Sequence, residues 1–192
     1  IVIIGESTSS WHMGLYNYNR ETNPFLSKMK DELFVFNNVI APDVMTIKSL
    51  EKVLTLSNYK NPKAENNFSV IQLANAAGFE TFWISNQQPV GFTESTPTII
   101  ATAAKHKQFL ATDSYAYTIY DEALIPEVKN ALKAKGKRKL IFVHLIGTHR
   151  TYKKRYPKAF SYFEGTNERT KYKTEYSKQK VNEYDNAVRY ND

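Results

Sequence analysis

KLIFVHLIGTH, residues 139–149, decides the fold. Between Lys139 and Gly147 the run is aliphatic or aromatic except for His144. A short continuous apolar run closed by glycine reads as a strand covered on both faces, the habit of parallel sheets. Just upstream, YDEALIPEVKNALKAKG (120–136) has helical spacing and stops at Gly136. A helix feeding a buried strand is half of a βαβ unit, and the rest of the chain repeats it.

IVII at 1–4, LFVFNNVIA at 33–41 and ETFWISNQ at 80–87 read as further strands. Helices are expected after Thr22-Asn23-Pro24, over Thr46–Leu56 and over 68–79 with Gly78 as the stop. Two more are expected over Ile99–Leu110 and about 174–190. Strands alternating with helices give an α/β domain with a mostly parallel sheet flanked by helices. At 192 residues, a single domain is expected.

Composition narrows the function. The net charge is +7, concentrated in KAKGKRK (133–139) and RTYKKRYPK (150–158). Such runs form solvated basic surface and favour anionic partners, a membrane surface among them. No helix-turn-helix, zinc-finger or RNP pattern accompanies them, so nucleic acid is not an expected partner. With no cysteine, thiol chemistry and disulfides are excluded and any metal must take O and N ligands. No apolar run reaches the ~18 residues of a membrane span. Both ends read as cuts in a longer protein.

In parallel α/β sheets the site lies beyond the carboxyl ends of the strands. Glu6 and the hydroxyls of residues 7–10 follow the first expected strand, and Thr46 follows the second. Asn86 and Gln87 follow the third, His149 the fourth. These five residues are expected to gather on one sheet edge. A carboxylate so close to a buried strand needs a partner or a cation. Thr46, at a helix start, reads as an N-cap or as a nucleophile. His12 and His106 read as surface or packing residues, His144 as a core residue or a support behind a site residue, and Tyr152, Arg155 and Tyr156 as ligand contacts or a folded-back loop.

Five segments in order carry a resemblance: G-E-S-T-S with H-M-x-L-Y-x-Y-x-R-x-T-N-P-F-L, F-x-N-V-I-A-P with T-x-x-S-L, W-I-S-N-Q, H-L-x-G-T-H-x-x-Y-x-x-R-Y-P, and Y-D-N-A. Together they resemble the N-terminal portion of the phosphoethanolamine transferase catalytic domain, in the sulfatase and alkaline-phosphatase-like superfamily. The resemblance implies transfer of phosphoethanolamine from phosphatidylethanolamine to lipopolysaccharide or another cell-envelope acceptor. It implies a phosphorylated threonine intermediate, Zn2+ at the site, and a monomer on the periplasmic face of the bacterial inner membrane. Carried over by residue, Glu6 and Thr46 are metal ligands, with Thr46 also the catalytic nucleophile. His149 binds the head group or a second zinc, and Asn86 and Gln87 line the head-group pocket. The family's S-D-H-G-E motif, which adds an Asp and a His to the metal, is absent from these residues, so the chain alone is expected to be inactive. The competing readings are another phosphoester hydrolase or phosphoglycerol transferase of the superfamily, and an inactive binding fragment lacking half the metal site. A sulfatase is disfavoured because C/S-x-P-S-R is missing and Thr46 stands in its place.

Overall fold

The computed structural model describes residues 1–62, 68–89, 96–111, 119–165 and 174–192. The chain divides into two compact units, one of residues 1–4 and 39–145, the other of residues 5–38 and 146–192.

The first unit holds a four-stranded sheet. Its strands are β1 (Val2–Ile4), β2 (Glu80–Ser85), β3 (His106–Phe109) and β4 (Lys139–His144), in the order β1-β4-β2-β3. Every pairing is parallel, and Ser85 lies level with both His144 and Phe109 at the carboxyl edge. The alternation of β2 and β4 sends side chains to two cores. Trp83 and Phe142 face Leu50 and Leu54 of α2 (Thr46–Leu54), Ile71 of α3 (Val70–Ala76) and Ile100 of α4 (Thr96–Thr102). Phe82, Ile84, Ile141 and Val143 face Leu124 and Ala131 of α5 (Leu124–Lys133). Helices thus cover both faces, as a parallel sheet requires. α3 begins with a reciprocal cap between Ser69 and Gln72.

Three expectations change. The segment 33–41 forms no strand: Phe34, Phe36, Val39 and Ile40 are exposed and the backbone is irregular. Its apolar alternation is strand-like, but no described strand lies alongside to take its backbone hydrogen bonds. The real fourth strand is β3, inside the expected helix 99–110, where α4 ends at Thr102. There His106 pairs with Glu80 (2.5 Å) and stacks on Phe82, so side-chain pairing outweighs helical spacing. Finally, β1 is an edge strand with Ile1 and Ile3 exposed, because among the described residues it neighbours only β4. Residues 90–95, shortly after Gln87, lie outside the described residues.

The second unit is organised by α6 (Glu175–Tyr190), which buries every residue from Val181 to Val188. A shorter helix, α1 (Pro24–Lys28), starts at proline, and the Asp192 carboxylate accepts from its Phe25 and Leu26 N–H groups.

Candidate functional site

In the first unit, Thr46 is the first residue of α2. The cap residue is Met45, which gives no side-chain hydrogen bond, so Thr46 is not the N-cap. Its half-buried hydroxyl stands in the first turn, where backbone N–H groups lack helical acceptors and the helix dipole favours an anion.

Asn86 and Gln87 leave the carboxyl end of β2. The Asn86 N–H continues the ladder to the His144 carbonyl (2.9 Å). Its buried side-chain amide donates to the Ile119 carbonyl and to Asp121 Oδ1, both at 2.9 Å. Asn86 Oδ1 is buried with no hydrogen-bond partner among the described residues. Gln87 Nε2 donates to the Leu145 carbonyl (2.8 Å). Both amides therefore tie the sheet edge together. His144 is buried on the same face as Trp83, edge-on to that ring and 3.4 Å from Ser85 Oγ, the expected core placement.

The second unit holds Glu6 and His149. Glu6, two residues past β1, has a buried side chain whose Oε1 accepts from Ser7 Oγ (2.7 Å). Its backbone is clamped from the segment after β4. The Glu6 carbonyl accepts from the Thr148 N–H (2.9 Å) and the Thr148 hydroxyl (3.0 Å), and Thr148 is fully buried. Gly147, at φ +52°, lies against the same peptide: a Cβ there would sit 2.7 Å from the Glu6 carbonyl oxygen and 2.9 Å from its nitrogen. Only glycine fits so close an approach at that φ. His149 is exposed. Its Nδ1 lies 2.7 Å from the Arg150 carbonyl, which can only accept, so Nδ1 carries the proton and Nε2 is the acceptor nitrogen. Arg155 Nε holds the His149 carbonyl (2.9 Å). Tyr156 is buried, which removes it as a lipid or acceptor contact, and burial raises its phenol pKa.

Sequence reasoning quoted Tyr184-Asp185-Asn186 without giving these residues work. Tyr184 OH donates to the Ser7 carbonyl (2.5 Å) and accepts from the Ser9 N–H (2.8 Å), pinning the turn after Glu6. Asp185, fully buried, accepts from His12 Nδ1 (2.6 Å), Tyr18 OH (2.9 Å) and Arg20 (2.8 Å). Asn186 Oδ1 accepts from the N–H groups of Tyr162 and Phe163. His12 is thus hydrogen-bonded to a buried carboxylate rather than serving as a packing residue. The signal was available: an aspartate inside an apolar helix face needs buried donors, and His12, Tyr18 and Arg20 are the polar members of the early motif.

The residues expected on one edge therefore fall into two groups, Thr46, Asn86 and Gln87 in one unit and Glu6 and His149 in the other. Among the described residues there is no cluster of three or more His, Asp or Glu side chains able to hold a metal. The donors offered are hard oxygen and imidazole nitrogen, of the kind zinc takes, but an incomplete set. Among the described residues no helix is long and apolar enough to cross a membrane.

The chain is a member of the Sulfatase family, whose profile matches residues 1–192. Within it, the phosphoethanolamine transferase EptC of Escherichia coli is 35% identical over all of this chain and 34% of its own length. CptA of Salmonella typhimurium, another phosphoethanolamine transferase, is 36% identical over 86% of this chain and 30% of its own. The crystallised C-terminal periplasmic domain of Escherichia coli EptC, in complex with Zn, matches with a TM-score of 0.94 at 34% identity, over 99% of this chain and 55% of that one. The chain spans about a third of the length of these relatives and about half of the solved domain.

Proposed function

We propose that this chain is the catalytic portion, carrying the nucleophile, of a phosphoethanolamine transferase at the periplasmic face of the bacterial inner membrane. The donor is phosphatidylethanolamine and the acceptor a glycan of the cell envelope such as lipopolysaccharide. The observation that supports this best is Glu6: a buried carboxylate just past a strand, its backbone fixed by Thr148 and given room by Gly147. Such fixing positions a metal ligand, and burial of its charge is offset when a cation binds.

In this reading Thr46 Oγ1 attacks the phosphorus of the donor, and diacylglycerol leaves with the proton the hydroxyl gave up. The resulting phosphoethanolamine ester on Thr46 lies against the N–H groups of the first turn of α2, which stabilise the phosphoryl oxygens. An acceptor hydroxyl then attacks the same phosphorus and returns Thr46 to its hydroxyl form. Asn86 Oδ1 would accept a hydrogen bond from the ethanolammonium, and His149 would bind the head group or a second zinc. Glu6 and Thr46 would be among the groups that hold a zinc ion, whose chemistry there would be to lower the hydroxyl pKa so that threonine becomes a nucleophile near neutral pH. The test is metal content in the full-length protein. Glu6→Gln is expected to lose zinc and head-group transfer together; unchanged zinc content removes Glu6 from the ligand set.

A further inference from the structure

The second unit contains a cavity of about 460 Å³ that the transfer chemistry above does not use. Its size is that of a small-molecule site. Trp11, Tyr152, Tyr176 and Tyr184 line it, together with His12 and Lys180. Two of the aromatic plates are unusually open, Trp11 at 81% and Tyr176 at 70% exposure. Tyr152 stands edge-on to Tyr184 at 5.1 Å, and His12 edge-on to the same ring at 4.8 Å, so the inner wall is packed and fixed.

The polar groups narrow the ligand. Asp185 Oδ1 accepts from His12 Nδ1, while Tyr18 and Arg20 donate to Oδ2. The buried carboxylate thus holds the imidazole in the tautomer whose Nε2 is an acceptor. A ligand hydroxyl meets that nitrogen well; a carboxylate or phosphate does not. The wall also carries a cation, Lys180 Nζ, 5.5 Å from the Tyr176 centroid and 2.6 Å from Glu183 Oε2. That disfavours a quaternary ammonium, the usual guest of an aromatic cage. Lys153 and Lys154, both exposed, follow Tyr152 directly and supply positive charge beside the cavity.

We propose that this cavity is a subsite for a sugar ring bearing an anionic substituent. The C–H face of the ring packs on Trp11 and Tyr176, a ring hydroxyl donates to His12 Nε2, and the anionic group is drawn to Lys153 and Lys154. Aromatic faces are electron-rich and ring C–H groups weakly positive, which gives the stacking its direction. The subsite deepens the transferase reading, on which its role as an acceptor site rests, but binding itself needs no turnover.

The 192-residue chain has two indoles, the open Trp11 and the buried Trp83, so nitrogen-15 spectra report them separately. Glucose 6-phosphate is expected to shift the Trp11 signal saturably and leave Trp83 in place. Tyr176→Ala, at an exposed site, is expected to weaken this binding about tenfold, as loss of an aromatic anchor does. Thr46→Ala is expected to leave it unchanged, so failure of the transfer mechanism and failure of the subsite are separate results. Three outcomes overturn the proposal: no shift of Trp11, the same shift with inorganic phosphate alone, or a shift caused only by phosphatidylglycerol vesicles. The second means an ion site and the third a membrane-facing patch.

Discussion

Replacing Gly147 with alanine perturbs Glu6 without touching its side chain. The new Cβ would lie 2.7 Å from the Glu6 carbonyl oxygen and 2.9 Å from its nitrogen. Ordinary contact begins at about 3.5 Å, so the two segments must part by roughly half an ångström or more. The same carbonyl accepts both Thr148 hydrogen bonds, which stretch as it moves. Holding alanine at a left-handed φ costs about 1–2 kcal/mol. Weakening two buried hydrogen bonds adds about 1–2 kcal/mol. The expected loss is therefore about 2–4 kcal/mol, lowering a urea midpoint by about 1–2 M for an ordinary slope. Gly165 is the control: it too has positive φ, +71°, but a Cβ there meets nothing within 4 Å among the described residues. Gly165→Ala should cost only the torsional part. Equal losses at the two sites would refute the clamp, since the steric difference between them would then have no effect.

Asp185→Asn should destabilise by about 3–5 kcal/mol in the same denaturation assay, because it leaves Arg20 without its buried counter-charge. A loss under about 1 kcal/mol would show that the network does not hold the second unit together. Burial, opposed by hydrogen bonds, raises the Tyr184 phenol pKa, and burial likewise raises that of Tyr156. A raised folded pKa contributes stability that is complete below the unfolded value of about 10 and is lost as pH rises through the folded value. Alkaline titration followed by phenolate absorbance should therefore show late-ionising tyrosines whose ionisation coincides with unfolding. Tyr184→Phe should remove one of them, and an unchanged titration would contradict this assignment.

The parallel sheet was legible because β4 is a nearly continuous apolar run and β2 has an apolar centre, Phe82-Trp83-Ile84, both flanked by helical patterns. The glycine stops were legible for the same local reason: Gly78 and Gly136 both take positive φ. The segment 33–41 misled because alternation records which residues are apolar, not whether a neighbouring strand exists. β3 was missed because HKQF is short and polar, and its place depends on Glu80, twenty-six residues away. Glu6 and Thr46 stood out by position after apolar or helix-start patterns. The clamp on Glu6 did not, since it joins residues 142 apart in sequence. The roles of Tyr184, Asp185 and Asn186 were hidden likewise: each partner lies more than twenty residues away, and single-sequence periodicity carries no information at that range.

The account turns on Thr46 carrying the transferred group. Full-length protein incubated with phosphatidylethanolamine, quenched in acid and digested, should yield one modified peptide, with the phosphoethanolamine mass on Thr46 and no adduct in Thr46→Ala. An adduct mapped to Ser49 or another side chain, or label still captured by Thr46→Ala, would contradict it.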